Sequence, residues 1–70
     1  MVGMVYKSIE LVGTSEENWA DAVKNAYAEA KKTLRGIRNI TIIQSDVKVK
    51  EDTDTLVYRV RCQVNFELEK

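Results

Sequence analysis

From Leu56 to Leu68 the apolar residues fall on every second position: Leu56, Tyr58, Val60, Cys62, Val64, Phe66 and Leu68. Arg59, Arg61, Gln63, Asn65 and Glu67 stand between them. Successive side chains of a strand point to opposite faces. The pattern therefore specifies a half-buried antiparallel strand with one core face and one wet or interfacial face. A second strand is expected just before it, over residues 37–50. Each strand runs about 14 residues, where five or six is usual. At about 3.3 Å per residue each spans about 45 Å. The one helix the chain can supply has about 20 residues and covers only about 30 Å. The sheet overhangs that helix, so other subunits must cover the remainder.

The helix is expected over residues 16–35, after a first strand over 5–12 that Gly13 ends. Thr14 with Glu17 fits a capping box, and Ser15 competes with Thr14 as N-cap. Trp19, Val23, Ala26, Ala30 and Leu34 recur at spacings of three and four, which places them on one stripe. Acidic Glu16, Glu17 and Asp21 near the start, and basic Lys31, Lys32 and Arg35 near the end, complement the helix dipole. Gly36 is the expected stop. In the second strand Ile40 and Ile42 share one face, whereas Val47 and Val49 have the other parity. The doublet Ile42-Ile43 marks the switch and predicts a β-bulge or sharp bend between Ile43 and Asp46. Residues 51–54 read as a polar turn. The fold class is α+β, in the order β-α-β-β, with a three-stranded antiparallel sheet wrapped partly around one helix.

A chain of 70 residues is one domain at most, here 1–70. It buries only about 60% of its unfolded surface, so a lone subunit is marginal. Cys62 is the only cysteine and histidine is absent. That excludes an internal disulfide and disfavours zinc, and leaves oligomerisation as the support. Eleven basic and eleven acidic residues cancel, which argues against binding nucleic acid. No apolar run approaches the roughly 20 residues of a membrane span. Residues 1–6 lack the pattern of a signal peptide, and with a lone thiol this suggests the reducing cytoplasm. No nucleophile–base pair can be named, so the chain reads as a non-enzyme.

Candidate ligand residues remain. Arg59 and Arg61 share one face and can hold a phosphate or carboxylate, although ion pairs with Glu67 or Glu10 of neighbouring subunits are the plainer account. Glu51, Asp52 and Asp54 can offer oxygens to Ca²⁺. They lack the glycine and spacing of an EF-hand loop, and a solvated turn explains them as well. Asp46 falls at the expected bulge, where a carboxylate can be re-aimed. Trp19, Tyr58 and Phe66 have core or interface parity, and Cys62 reads as an inert buried thiol.

Val5-Tyr6-Lys7, the run from Glu10 to Glu17 (ELVGTSEE), Lys32-Thr33-Leu34-Arg35 and the closing Val64-Asn65-Phe66-Glu67-Leu68 together resemble the dodecin family over nearly the whole chain. The resemblance implies a hollow homododecamer that stores or sequesters a small ligand and catalyses nothing. Typical dodecins hold riboflavin, FMN or FAD as stacked pairs at two-fold interfaces. A tryptophan early in the second strand stacks on the flavin ring, and a glutamine in the third strand hydrogen-bonds its polar edge. Here those positions are Asn39 and Arg59. Asn39 has no aromatic face, and Arg59 donates hydrogen bonds but accepts none. Asn39, Arg59 and Arg61 are thus the candidate cofactor residues, for a flavin bound more weakly than usual. Ser15 with Trp19, Ile37-Arg38, Gln44-Ser45-Asp46 and Tyr58-Arg59-Val60 look closer to a subgroup without the tryptophan, described as calcium-associated. That alternative implies a calcium-binding or purely structural shell, with Asp46, Asp52 and Asp54 as candidate ion ligands.

Overall fold

The computed structural model describes residues 4–68. Strand β1 (Tyr6–Ser15) leads through a short bend into helix α1 (Trp19–Ala30), followed by β2 (Ile37–Lys50) and β3 (Thr55–Glu67). The strands form one antiparallel sheet in the order β1-β3-β2. The strand with the cleanest alternation is therefore the central one. Val60, Cys62, Val64 and Phe66 are buried on the helix side, as their parity requires.

Strand β1 runs past Gly13 to Ser15. The expected stop at Gly13 misread the glycine. Gly13 stays in the ladder opposite Val60, and a Cβ there would overlap the carbonyl of Ala22. The residue is glycine because the helix backbone lies directly on it.

The helix is shorter than expected, 12 residues rather than about 20. Its N-cap is Asn18, whose Oδ1 accepts from the Asp21 N–H at 2.7 Å. Thr14 cannot cap because it is still paired in β1, opposite Arg59. Ser15 secures the bend instead: its Oγ accepts from the Glu17 N–H at 2.9 Å and donates to Asp21 Oδ2 at 2.7 Å. At the other end a tight turn at 31–33 replaces the last helical turns, with the Leu34 N–H donating to Ala30 O at 3.0 Å. Gly36 follows at φ 73°, a left-handed conformation that glycine adopts without strain.

The buried stripe is Ala22, Ala26 and Ala30. Ala26 and Ala30 were expected in it. Trp19 shares that expected stripe but is 45% exposed, on the interface rather than the core side of its expected role. The stripe is rotated because close approach at Gly13 selects the smallest side chains. Ala22 and Ala26 form the core with Val60 and Cys62, joined by half-buried Leu11, Val23 and Ile40.

The helix packs on β1 and β3 and barely meets β2. Twelve residues make it about 18 Å long at about 1.5 Å per residue, whereas the chain extends 57 Å. The overhang is apolar: Ile42 is 58% exposed, Val49 60% and Leu56 45%.

The ladder of β2 with β3 slips between Ile42 and Gln44, leaving Ile43 as the extra residue. This is the expected bulge, at the first residue of its predicted span. Before it Ile40 and Ile42 oppose Val64 and Cys62; after it Ser45, Val47 and Val49 oppose Val60, Tyr58 and Leu56. A second slip, between Ile37 and Asn39, carries no break in apolar parity that would have announced it.

The Gly13 contact makes a direct prediction. Gly13→Ala should lower stability by at least the roughly 1–3 kcal/mol typical of overpacking. Its exposed neighbour substitution Thr14→Ala should cost less than about 1 kcal/mol. Thermal melts of both variants check this, and equal shifts would mean that the helix does not rest on β1 at that point.

Candidate functional site

The face of the sheet turned away from the helix carries the polar residues of β3. Because β3 is central, each is flanked on both sides. Asn65 lies between Ser8 and Asn39, Arg61 between Val12 and Gln44, and Arg59 between Thr14 and Asp46.

The bulge decides what Arg59 meets. Without the extra residue Ile43, the parity set by Ile40 and Ile42 would turn Gln44 and Asp46 toward the helix side. With it, both join the wet face. Arg59 then grips Asp46 with two parallel hydrogen bonds, Nε to Oδ1 at 2.8 Å and Nη2 to Oδ2 at 2.6 Å. This fork geometry is the strong form of an arginine–carboxylate pair. Asp46 is also held from the opposite side of the sheet. The Trp19 indole donates from Nε1 to Asp46 O at 3.3 Å. The indole itself meets Tyr58 edge-on at 5.1 Å. Half-exposed Trp19 thus ties the start of α1 to the strand just after the bulge.

The charges respond to this geometry. The hydrogen bonds from Arg59 hold the Asp46 carboxyl below the usual range; some desolvation opposes them, and the charges of Arg59 and Arg61 add to them. Asp46 in turn raises Arg59. Burial pushes the Cys62 thiol up, which keeps it protonated and unreactive.

Arg61 is exposed and makes no ion pair among the described residues. It lines an open hollow with Val12, Gln44, Asp46 and Arg59. Glu67, a suggested partner for the arginines, is taken within the chain by Arg38 at 2.7 Å. Gln44 and Val12 belong to this hollow but were not among the candidates. The parity flip at the bulge was the signal that could have found Gln44.

The other candidates lie elsewhere. Asn39 is at the far end of the face, beside a chain of hydrogen bonds from Ser8 through Asn65 to Thr41. In register, Asn65 and Arg59 are six residues apart on β3, or about 20 Å at about 3.4 Å per residue. Asp52 and Asp54 sit in the exposed hairpin turn, where Asp52 Oδ1 accepts from the Thr53 N–H at 3.0 Å. Asp54 holds the left-handed position at φ 52°. Asp46, Asp52 and Asp54 therefore do not converge within one chain. Among the described residues, no three carboxylate, thiol or imidazole groups are placed to share a metal ion.

The Asp46–Arg59 pair gives a pH prediction. A carboxyl whose folded pKa is depressed adds stability that is complete above its unfolded value, about 3.9, and is lost as pH falls through the folded value. The difference in melting temperature between wild type and Asp46→Asn should be flat from neutral pH to about 5 and shrink below about 4. A difference already shrinking above pH about 5 would show that Arg59 does not hold the carboxylate.

Comparison with known proteins accounts for the geometry. The dodecin family profile matches residues 5–69. A dodecin of Thermus thermophilus is 40% identical, with 99% of each chain covered. The crystal structure of the tt0972 protein of the same organism superposes with a TM-score of 0.89 at 40% identity, over 97% of this chain and 98% of that one. The crystal structure of a calcium-chelating antigen of Mycobacterium tuberculosis, a calcium dodecin with a calcium-binding site described as novel, gives 0.83 at 31% identity, over 93% and 91%. Among the described residues no helix is long and apolar enough to cross a membrane. Matched in sequence from end to end and in the β-α-β-β sheet that wraps one short helix, this chain belongs to the dodecin family.

Proposed function

We propose that this chain is one subunit of a closed homododecameric shell that stores or sequesters a small ligand and catalyses no reaction. The observation that carries this reading is the uncovered inner face of β2. Ile42, Val49 and Leu56 on the sheet, with Trp19 and Tyr27 on the helix, are each at least 40% exposed. So many large apolar side chains left in solvent mark an interface, and the core of a chain this small does not sustain them alone. The non-catalytic reading is supported by the chemistry present: no histidine in the chain, and one cysteine, buried with its thiol pushed up. A single reduced thiol also fits a cytoplasmic setting.

A ligand that touches both Asn39 and Arg59 cannot lie within one subunit, since about 20 Å of strand separates them. Such a ligand belongs between chains. For a flavin the fit is poor on both counts. Asn39 offers no ring to stack on, and Arg59 is already engaged by Asp46. The wild-type protein binds flavin weakly or not at all on this reading. The calcium reading draws support from the calcium-chelating relative. Here a cation at Asp46 must first displace Arg59, and the remaining oxygens must come from a neighbouring subunit.

Two measurements test the proposal. Sedimentation should give about 96 kDa, twelve copies of an 8.0 kDa chain; a stable monomer or dimer at micromolar concentration would overturn it. In a fluorescence titration, Asn39→Trp combined with Arg59→Gln should bind riboflavin or FMN more tightly than wild type. Base–aromatic stacking is worth about 1–3 kcal/mol, so the expected gain is about five- to more than a hundredfold. Tight quenching by the wild-type protein would mean that residues other than Asn39 supply the platform.

A further inference from the structure

On the wet face one cation is left over. Arg59 and Arg61 bring two positive charges to the hollow, and Asp46 neutralises one. Arg59 spends Nε and Nη2 on Asp46, leaving the Nη1 edge of its guanidinium uncommitted. Among the described residues Arg61 makes no side-chain hydrogen bond or ion pair, so its five N–H donors are available to a ligand. The Gln44 amide stands directly across from Arg61 on β2, and Val12 stands across from it on β1. Glu10, the next wet-face residue of β1, makes no ion pair with Arg61. The hollow therefore presents planar, charged donors and an amide beside one small apolar wall, with a net positive charge.

Guanidinium donors in a fork match the oxygens of a phosphoryl group. We propose that Arg61, with Gln44 and the free edge of Arg59, forms a site for the phosphoryl group of a small molecule, and that Asp46 limits its affinity by holding Arg59. The inference deepens the storage reading by naming the charge class of the stored ligand, and it rests on that reading only for the claim that this face lines a ligand chamber. It also sets Asp46 in a role opposite to that of an ion ligand, because removing its charge strengthens binding.

The test is isothermal titration of the intact purified protein with inorganic pyrophosphate at low salt, with sedimentation of the same samples. Arg61→Gln should weaken binding by about ten- to a hundredfold, as expected for lost hydrogen bonds to a charged group. Lys24→Gln removes one positive charge from the exposed side of α1 and should change affinity less than about twofold. Asp46→Asn should tighten binding severalfold, because Arg59 is released while the side-chain shape is kept. The inference is overturned if wild type does not bind pyrophosphate at millimolar concentration, or if Arg61→Gln and Lys24→Gln behave alike. Weaker binding by Asp46→Asn overturns it as well. Equal affinity for the dicarboxylate glutarate would overturn the phosphoryl assignment. An intact oligomer that ignores pyrophosphate leaves the shell standing without this site. A monomer that binds it with the expected variant pattern leaves the site standing without the shell.

Discussion

The close seat of α1 on β1 and β3 governs the rest of the fold. Gly13 offers no Cβ to the Ala22 carbonyl, and the helix answers with Ala22, Ala26 and Ala30 along its buried side. Small residues bring the backbones together but bury little area each. The contact is tight and short, a helix of 12 residues seated on strands of 10 and 13. What it leaves uncovered is the inner face of β2 and the far end of the hairpin, where large apolar side chains stand in solvent. Apolar burial contributes roughly 25 cal/mol per Å², so a helix this short gives the chain less internal stabilisation than a longer one would. The same short contact that defines the core thus leaves exposed the apolar overhang that the proposed shell would cover.

A second constraint shapes the polar face. One extra residue, Ile43, exchanges the faces of everything after it in β2. Val47 and Val49 go to the inner side, and Gln44 and Asp46 go to the outer one. The bulge thereby couples two features that look unrelated: an exposed apolar overhang, and a charged hollow around Arg59 and Arg61. Deleting that residue would bury a carboxylate on one side and expose valines on the other.

The sequence made the periodic parts of this fold legible. The alternation of β3, the bounds of β2 and the parity break at Ile42-Ile43 each follow from the two-residue period of a strand, and the ladder agrees with all three. The helix was harder to read. Its ends depend on which of Thr14, Ser15 and Asn18 is free to cap, and strand pairing removes Thr14 from the choice. Its buried side depends on the glycine beneath it, a contact between residues far apart in the chain pattern. Of the candidate site residues, Arg59, Arg61 and Asp46 meet in one hollow. Asn39 and the acidic turn at 51–54 lie apart from it. Sequence spacing along one strand predicts shared faces well, but it does not predict which positions on separate strands meet, because register and bulges set that.

The hydrogen bond from the Trp19 indole to the Asp46 carbonyl has an optical consequence. This is the only tryptophan in the chain, half-exposed and anchored to the backbone of the residue whose carboxylate grips Arg59. Indole emission depends on the field and the solvent around the ring. A shift of the Asp46 backbone, or a covering of the exposed ring, alters both. The protein therefore carries its own fluorophore between the Arg59 hollow and the exposed apolar face, and its emission colour responds to changes at either without any added label.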